Sequence, residues 1–434
     1  MSDRKAVISN RIFLSGLSQE EMERIAIELY YKIVTQLGAK LNTEIVNNFT
    51  RIGPGSCSIP SGRIDLIPDD FTIIDNRHNN IIEDFPEFTY KLRESQQEIY
   101  DQVEESCIVN AHPSWGKTFT GIAIASKLSR KTLIVTHTTL LRNQWAEEIE
   151  KTLGFIPDTI GSGKYAYKTP IVVSNSQTLI KHVDKIADKF GLVILDEMHH
   201  VPSKTFSHIM DKLKARYKIG LSGTLIRKDK KHIIFRDYFG DIVYKPEKEN
   251  SMTPRVLLVE TNYVLKPDKH WALRVNELEL YDIEYRKFIV DFTNRLIDKG
   301  YKPLVVGTRV DFLNWCASKA NDSVAITGEV KSIEERKRLL SGLETGEVSA
   351  IFGTLSIFSE GISQNDLNCL VLATPINNDS LLTQLIGRII REKEGKKQPL
   401  IVDIKLKGPS TDKQAKSRLA LYIRNGYNIQ VLKT

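Results

Sequence analysis

Long apolar runs and closely spaced cysteines are both missing from this sequence of 434 residues. No apolar run approaches the roughly 20 residues that a membrane-spanning helix needs, so the sequence predicts no membrane segment. The opening residues Met-Ser-Asp-Arg-Lys are followed by no apolar stretch and no small-residue cleavage site, which argues against secretion. The four cysteines lie far apart and form no metal-binding pair. We therefore expect buried thiols in a reducing compartment, the cytoplasm.

A general basic bias is also missing. The net charge is +7, but residues 391–434 contain 11 basic and 4 acidic side chains, so residues 1–390 are neutral overall. This distribution excludes a uniformly basic packaging protein of the histone type. Because 41% of the residues are apolar and 26% are charged, as in ordinary globular proteins, wholesale disorder is excluded too.

Residues 1–88 form the first predicted domain, a small α+β accessory domain with 9 basic and 13 acidic residues. Ser18 and Glu21 have the spacing of a capping box, and Gly38 is a natural helix stop. One helix from Ser18 to Gly38 is predicted by apolar residues at helical spacing, namely Met22, Ile25, Leu29, Ile33 and Leu37. Short apolar runs beside the turn-rich segment 51–63 predict a small sheet.

Two series of short runs rich in Ile and Val follow, one before and one after residue 250. Near-continuous apolar strands alternating with helix-length segments predict parallel sheets that are covered on both faces. The polar segment 245–254 contains two prolines and is the predicted linker. The sequence therefore predicts an α/β fold with lobes at 89–250 and 251–434.

A candidate phosphate-binding loop, Ala111-His-Pro-Ser-Trp-Gly-Lys-Thr118, lies between a predicted strand and a predicted helix. The backbone N–H groups around Ser114 and Gly116 would hold phosphate oxygens of ATP. Lys117 would reach the β- and γ-phosphates, and Thr118 would bind Mg²⁺. The loop departs from the usual pattern because alanine and serine replace glycines. Taken alone, it could be a chance Gly-Lys-Thr at the start of a helix.

A second predicted strand, in Leu192-Val-Ile-Leu-Asp-Glu-Met-His199, ends in two adjacent carboxylates. Asp196 would bind Mg²⁺, and Glu197 would orient and deprotonate the attacking water. Alone, the pair could be an ordinary solvated turn. Together with the phosphate-binding loop, which follows another strand of the same predicted sheet, the pair predicts an ATP hydrolase.

Eight further segments resemble the motifs of one family. They are Leu92-Arg93 with Gln96, Thr136 to Trp145, Ser176-Gln-Thr-Leu179, Ser222-Gly-Thr224, Val305-Val-Gly-Thr308, Gly353-Thr354, Glu360-Gly361 and Gln384-Leu-Ile-Gly-Arg-Ile-Ile-Arg391. With the two preceding motifs, they resemble superfamily 2 helicases of the Asp-Glu-x-His type. The resemblance runs from about Leu92 to the end of the chain. It implies two RecA-like parallel-sheet lobes in tandem.

The last of these segments is the most specific, and it predicts a helix with Gln384, Arg388 and Arg391 on one face. Planar guanidinium groups suit the charge that a phosphoryl group carries during its transfer. The resemblance implies that these residues join catalysis when the lobes close. A surface helix with solvated arginines is the alternative for this segment alone.

The resemblance also implies roles for three more groups of residues. Those near the nucleotide are Arg93, Gln96 and Gly361. Those that couple the nucleotide state to lobe movement are His199, Ser222 and Thr224. Those that contact a nucleic-acid strand are Thr138, Ser176, Gln177, Thr308 and Thr354. This last group suits phosphate oxygens rather than bases, so we expect salt-sensitive binding that ignores base sequence.

Within the family the pattern is most similar to phage helicases of the UvsW-like group and more distantly to the XPB type. This resemblance implies a monomer that remodels forked and junction DNA for recombination, replication or repair, in the bacterial cytoplasm, including that of an infected host cell. Three alternatives remain open: a translocase that does not separate strands, an RNA helicase, and a non-catalytic scaffold.

One further departure from the family pattern is Ser363, because relatives often have an acidic residue at this position.

Three charged regions have two interpretations each. Residues 1–88 could bind duplex DNA through a patch near Arg51 and Arg63, or could serve as a structural cap or a protein contact. The segment 226–236 could touch DNA or could be a solvated loop. The same choice, between supporting a strand and being solvated, applies to the basic residues of the last predicted helix, Lys413, Lys416, Arg418 and Arg424.

Overall fold

The computed structural model describes residues 4–37, 40–200, 203–223, 225, 230–247, 249, 251–265, 270–330, 332–359 and 365–433. The chain forms two compact units, Met1–Glu247 and Lys248–Thr434. No helix of the described residues is long and apolar enough to cross a membrane.

Within the described part of residues 1–88 there are one α-helix, α1 (Gln19–Glu28), a 3-10 turn at Ile64–Leu66 and seven strands. The strands are β1 (Lys5–Ile8), β2 (Arg11–Ser15), β3 (Tyr30–Leu37), β4 (Lys40–Asn47), β5 (Thr50–Gly53), β6 (Ser56–Pro60) and β7 (Thr72–Asp75). Five of them form a sheet in the order β5-β6-β2-β1-β7, in which β7 is parallel to β1 and the other pairs are antiparallel. β3 and β4 form a separate antiparallel hairpin.

The predicted helix from Ser18 to Gly38 is correct only in its first half. The capping box is present: Ser18 Oγ accepts from Glu21 N at 3.1 Å, and Glu21 Oε2 accepts from Ser18 N at 2.7 Å. The helix ends at Glu28, and the rest of the predicted helix is strand β3. Residues 30–35 are mostly aromatic or β-branched, which favours a strand, and each residue of β3 pairs with one of β4.

The rest of the first unit is built on an eight-stranded sheet. Its strands are β8 (Cys107–Asn110), β9 (Thr132–Thr136), β10 (Asp158–Gly161), β11 (Lys164–Tyr165), β12 (Ile171–Asn175), β13 (Leu192–Asp196), β14 (Tyr217–Ser222) and β15 (Val243–Tyr244). Their order is β11-β10-β12-β9-β13-β14-β8-β15, and only the β10–β11 pair is antiparallel. The helices are α2 (Glu94–Gln102), α3 (Lys117–Leu128), α4 (Thr139–Leu153), α5 (Ser176–Leu179), α6 (Val183–Ile186), α7 (Ser203–Lys212) and α8 (Arg236–Phe239).

Alternate residues of the central strands enter two different hydrophobic cores. Leu133 and Val135 pack into one core, whereas Ile134 between them packs into the other. The sheet is therefore buried on both faces, as the near-continuous apolar runs predict.

The second unit has a seven-stranded sheet in which all neighbouring strands that the structure describes are parallel. Its strands are β16 (Arg255–Val264), β17 (Pro303–Gly307), β18 (Ser323–Ile326), β19 (Ala350–Thr354), β20 (Cys369–Leu372), β21 (Leu400–Lys407) and β22 (Asn428–Lys433), in the order β18-β19-β17-β20-β21-β16-β22. The helices are α9 (Trp271–Asn276), α10 (Ile283–Asp298), α11 (Val310–Lys319), α12 (Ile333–Thr345), α13 (Leu355–Ser359), α14 (Asp379–Ile389) and α15 (Pro409–Arg424). A π-helical turn spans Glu277–Tyr281. Strands β16 and β22 were not predicted from the sequence.

Buried polar contacts join residues 1–88 to the first large sheet. Asp237, which is fully buried, accepts hydrogen bonds from Tyr31 Oη at 2.7 Å and Asn48 Nδ2 at 2.6 Å. Arg63 lies 3.3 Å from the same carboxylate. The first 88 residues therefore share one compact unit with the sheet that follows, and their separation as a domain stays a prediction.

Candidate functional site

The loop between β8 and α3 has the backbone shape of an anion-binding turn. Ser114 and Gly116 both have positive φ angles, +74° and +95°. A Cβ atom at Gly116 would lie 2.5 Å from Gln96 Nε2, so only glycine fits there without a shift. Thr118 stands in the first turn of α3, whose first N–H groups lack helical partners. This turn can present several N–H donors to one anion.

Lys117 connects this loop to the carboxylates at the end of β13. Its Nζ lies 3.3 Å from Glu197 Oε1 and 3.3 Å from the carbonyl oxygen of Ala111. Glu197 has a positive φ of +44°, and its Oε2 accepts from Gly223 N at 3.3 Å. A cation, two carboxylates and the turn after β14 thus meet at the carboxyl edge of the sheet.

The two carboxyl groups have opposite pKa shifts. Burial and the neighbouring Glu197 charge raise the pKa of Asp196. Burial opposes ionisation of Glu197 as well, but the Lys117 charge, the two adjacent histidines and the hydrogen bond from Gly223 N together outweigh burial and hold the pKa of Glu197 below its usual value. Two neighbouring acids whose pKa values shift in opposite directions are typical of sites where the two groups take different roles.

His199 lies between this pair and the turn after β14. Its Nδ1 is 2.7 Å from Ser222 Oγ and 3.4 Å from Glu197 Oε2. Burial lowers the pKa of His199 to about 3, so the ring is neutral at pH 7. The imidazole of His200 stacks on His137 at a ring distance of 4.7 Å and lies tilted against His199 at 4.0 Å. The predicted coupling residues His199 and Ser222 are therefore in direct contact.

Trp115 is fully buried within the core of the lobe, and its Nε1 donates to Ser95 Oγ at 2.8 Å. The side chains of Arg93 and Gln96 both donate to the carbonyl oxygen of Trp115, Gln96 at 2.9 Å. Gln96 also accepts from Arg93 N at 3.0 Å. These two predicted nucleotide contacts hold the phosphate loop in place.

The predicted strand contacts of the first unit lie together at the ends of β9 and β12. Thr138 is the N-cap of α4, and its Oγ1 accepts from Leu141 N at 3.3 Å. Gln177 is exposed, and its amide donates to the carbonyl oxygen of His137 at 2.7 Å. Ser176, in contrast, is fully buried. Of these three residues, Gln177 is the most exposed, Thr138 is half-buried and Ser176 is inaccessible.

In the second unit, the predicted strand contact Thr308 forms hydrogen bonds with a carboxylate of the protein itself. Its N–H and hydroxyl both lie within 3.4 Å of Glu279, a fully buried residue of the π-helical turn. Arg309 N donates to the same carboxylate at 2.8 Å, and Thr374 Oγ1 donates to it as well. Glu279 therefore fixes the loops after β17 and β20. No sequence signal pointed to it, because its partners are 29 and 95 residues away.

The predicted helix through Arg391 is too long. Helix α14 carries Gln384 and Arg388 but ends at Ile389, because Ser251 pairs with Arg391 and Met252 N donates to Ile390 O at 2.8 Å. Arg388 Nε donates to Phe358 O at 3.1 Å, and Arg391 Nη1 donates to Asn365 Oδ1 at 3.3 Å. The two arginines thus belong to different local structures rather than to one helix face.

The basic helix near the carboxyl terminus, α15, does not present all its charges to solvent. Arg418 is buried and forms two 2.8 Å hydrogen bonds with Asp403, which also accepts from Tyr422 Oη at 3.0 Å. A solvated or strand-supporting role for Arg418 is therefore wrong. Lys413 and Lys416 are exposed.

Several predictions fall outside the described residues. They concern Thr224, Gly361, Ser363 and Lys228. In the segment 226–236, described from residue 230 onwards, Lys231 forms a 2.6 Å ion pair with Glu44 of strand β4.

Thr354, a predicted strand contact of the second unit, lies half-buried at the end of β19.

A family described as "Type III restriction enzyme, res subunit" matches residues 89–227. The probable helicase D10 of Escherichia phage T5 is 37% identical over 378 residues, which cover 85% of this chain and 84% of that protein. The putative ATP-dependent RNA helicase L396 of Acanthamoeba polyphaga mimivirus is 28% identical, over 79% of this chain and 70% of that protein. The ATP-dependent DNA helicase uvsW of Enterobacteria phage T4 is 26% identical, over 68% of this chain and 64% of that protein.

Among solved structures, S. cerevisiae Dbp5 bound to RNA and ADP BeF3 has a TM-score of 0.58 at 11% identity, over 80% of this chain and 90% of that chain. At this identity the likeness concerns the fold alone. It agrees with the two parallel-sheet, RecA-like lobes predicted from the sequence.

Proposed function

Because this chain belongs to the superfamily 2 helicases of the Asp-Glu-x-His type, we propose that it is an ATP-dependent helicase or translocase that unwinds or branch-migrates forked and junction DNA in recombination, replication or repair. The phage T5 relative, which is similar along most of both chains, establishes the membership. As a member, the chain is an ATP-hydrolysing enzyme that acts on nucleic acid. The observation that carries the proposal is the meeting of Lys117, the Asp196–Glu197 pair and Ser222 at one sheet edge.

The donor set at this edge fits a nucleotide with Mg²⁺. The positive-φ turn and the start of α3 offer N–H groups for phosphate oxygens, and Lys117 offers a cation. A hydroxyl, Thr118, and a buried carboxylate, Asp196, are oxygen ligands of the kind that Mg²⁺ prefers. When bound, Mg²⁺ neutralises charge on the phosphates.

The catalytic roles follow from the charges. Glu197, ionised beside Lys117, can accept a proton from the attacking water. Arg388, Arg391 and Gln384 of the second unit supply positive charge and hydrogen bonds to the transferred phosphoryl group in this proposal. We also propose that Gly361 contacts the nucleotide and that Thr224 couples the nucleotide state to lobe movement.

The proposed substrate is DNA. The relative uvsW is a DNA helicase by name, whereas L396 is named as an RNA helicase, so RNA is the alternative substrate. The proposed strand contacts have polar side chains of the kind that bind phosphate oxygens rather than bases, which predicts affinity that falls as salt rises. They are Thr138, Ser176, Gln177, Thr308 and Thr354.

The remaining proposals concern the whole protein. We propose a monomer that works in the bacterial cytoplasm, including that of an infected host cell. Residues 1–88 contact the first large sheet through buried polar groups. These contacts favour the role of a structural cap and argue against an independent domain that binds duplex DNA.

The test combines ATP turnover with strand separation in one buffer. We expect ATP hydrolysis to rise when single-stranded, forked or four-way DNA is added, and to rise less with RNA of the same sequence. Forked and four-way DNA should be unwound. Lys117→Ala should abolish turnover, because the phosphates lose their cation. Turnover that no DNA or RNA stimulates would contradict the proposal, and movement on DNA without strand displacement would favour the translocase.

A further inference from the structure

Trp145 reaches the carboxylate of Asp196 from a helix 51 residues earlier in the chain. The indole Nε1 donates a hydrogen bond to Asp196 Oδ2 at 2.8 Å. The Trp145 side chain is 1% exposed, and Asp196 is 4% exposed. In this dry setting a hydrogen bond to a charged group is stronger than one at the surface.

The other carboxylate oxygen is held as well. Asp196 Oδ1 accepts from Glu197 N at 3.0 Å, and this geometry coincides with the positive φ of Glu197. Each oxygen therefore has one N–H partner and keeps a second lone-pair direction for a metal ion or its bound water. Together the two donors fix the rotation of the carboxylate.

Helix α3 fixes the indole in turn. Gly121 lies on this helix, which starts at the phosphate loop. A Cβ atom at Gly121 would lie 2.8 Å from the Trp145 Cη2 atom. The ring thus packs directly against the helix backbone, and any larger residue at 121 would displace it. Trp145 connects the helix of the phosphate loop with the carboxylate at the end of β13.

We propose that Trp145 is a positioning residue that holds the Asp196 carboxylate in the orientation needed to bind the Mg²⁺ of the nucleotide. The inference rests on the proposed function, since it assumes the nucleotide site described above. Partners that orient a ligating carboxylate typically change metal affinity by about 10- to 100-fold when removed.

The test measures the gain in nucleotide affinity that Mg²⁺ provides. Binding of a fluorescent ADP, N-methylanthraniloyl-ADP, is titrated with the full chain in Mg²⁺ and in EDTA. In Trp145→Phe, which keeps a ring but loses the donor, we expect the Mg²⁺-dependent gain to fall about tenfold while affinity in EDTA is unchanged. In turnover, the variant should need about tenfold more Mg²⁺ for half-maximal rate at an unchanged kcat.

Two further variants make the result decisive. Trp315→Phe, an equal change on α11 of the second unit, should leave the Mg²⁺-dependent gain as in the wild type. Gly121→Ala keeps the indole donor but displaces the ring, so the Mg²⁺-dependent gain in affinity should fall in this variant too. If circular dichroism shows that Trp145→Phe is unfolded, Gly121→Ala takes its place. If Trp145→Phe and Gly121→Ala are both folded and both keep the Mg²⁺-dependent gain of the wild type, Trp145 does not have the proposed role. If the wild-type chain itself shows no Mg²⁺-dependent gain, the proposed nucleotide site fails instead.

Discussion

Lys218 is a buried amine that forms no ion pair among the described residues. It lies on β14, four residues before Ser222, and is 2% exposed. Its Nζ donates to Ser61 Oγ at 2.7 Å and to Met210 O at 3.1 Å, so it ties the small sheet to the large one. Burial lowers the pKa of Lys218 to about 7.

This shift predicts a pH-dependent stability. Between pH 7 and the ordinary lysine pKa of about 10.4, the unfolded chain binds a proton that the folded chain lacks. Raising the pH through this window should therefore stabilise the fold, by up to about 1.4 kcal/mol per pH unit from this group. Urea unfolding at pH 7, 8 and 9 should show that the free energy of unfolding rises with pH in the wild type and rises less in Lys218→Met. Equal slopes would show that the amine is charged in the folded state.

Residue-scale contacts of this kind could not be predicted from the sequence. The motifs identified Lys117, Asp196 and Glu197 because their spacing and order along the chain are informative. The hydrogen bond from Trp145 to Asp196 and the bonds of Glu279 to Thr308 depend on which helix faces which strand end. Only the packed structure decides that.

At the scale of elements, the β3–β4 hairpin depends on one buried carboxylate. Tyr31 at its start and Asn48 just after it both donate to Asp237, and Arg63 lies beside the same group. Tyr31 and Val46 also pack against the core of the large sheet. The hairpin is thus attached at its base, through polar and apolar contacts together.

Loss of this carboxylate should destabilise the first unit strongly. In Asp237→Ala, Arg63 loses a buried partner and two donors lose their acceptor, so we expect a cost of roughly 3–5 kcal/mol in the free energy of unfolding. Asp241→Ala, which removes an exposed partner of Arg236, should cost less than about 1 kcal/mol. Denaturant unfolding of both variants checks this. Similar costs for the two would mean that the network adds nothing beyond a surface pair.

The same hairpin shows where sequence patterns fail. Most parallel strands of both large sheets were predicted because buried strands read as continuous apolar runs, although β16 and β22 were missed. In residues 29–37 the apolar spacing fits a helix, and the choice of a strand depends on β4, which comes later in the chain. Helix α14 likewise ends early because a distant segment, Ser251–Met252, pairs with Ile390 and Arg391, which follow its last residue.

On the scale of the whole molecule, the chain divides into two compact units with separate cores. The predicted phosphate loop and both carboxylates belong to the first, while Arg388 and Arg391 belong to the second. Each unit buries its own sheet on both faces, so each should fold without the other.

Separate production of residues 1–247 and 248–434 tests this division. Both fragments should unfold cooperatively, and fragment 1–247 should bind nucleotide but hydrolyse ATP at least about 10³-fold more slowly than the full chain, since it lacks the arginines. A shorter fragment, 89–247, should be less stable because Lys218 loses Ser61 and Asp237 loses Tyr31 as hydrogen-bond partners. Full turnover by fragment 1–247 would exclude a catalytic role for the second unit.

All four native thiols lie inside the two units. Cys57, Cys107, Cys316 and Cys369 are unpaired and at most 1% exposed. Burial raises the pKa of Cys57 to about 11 and of Cys107 and Cys316 to about 12, and it raises the pKa of Cys369 as well. Since only the thiolate reacts readily, the folded chain should resist alkylation at neutral pH. A cysteine introduced on the surface of each unit would therefore accept a dye selectively, which makes the wild-type background suitable for measuring distances between the units by fluorescence energy transfer.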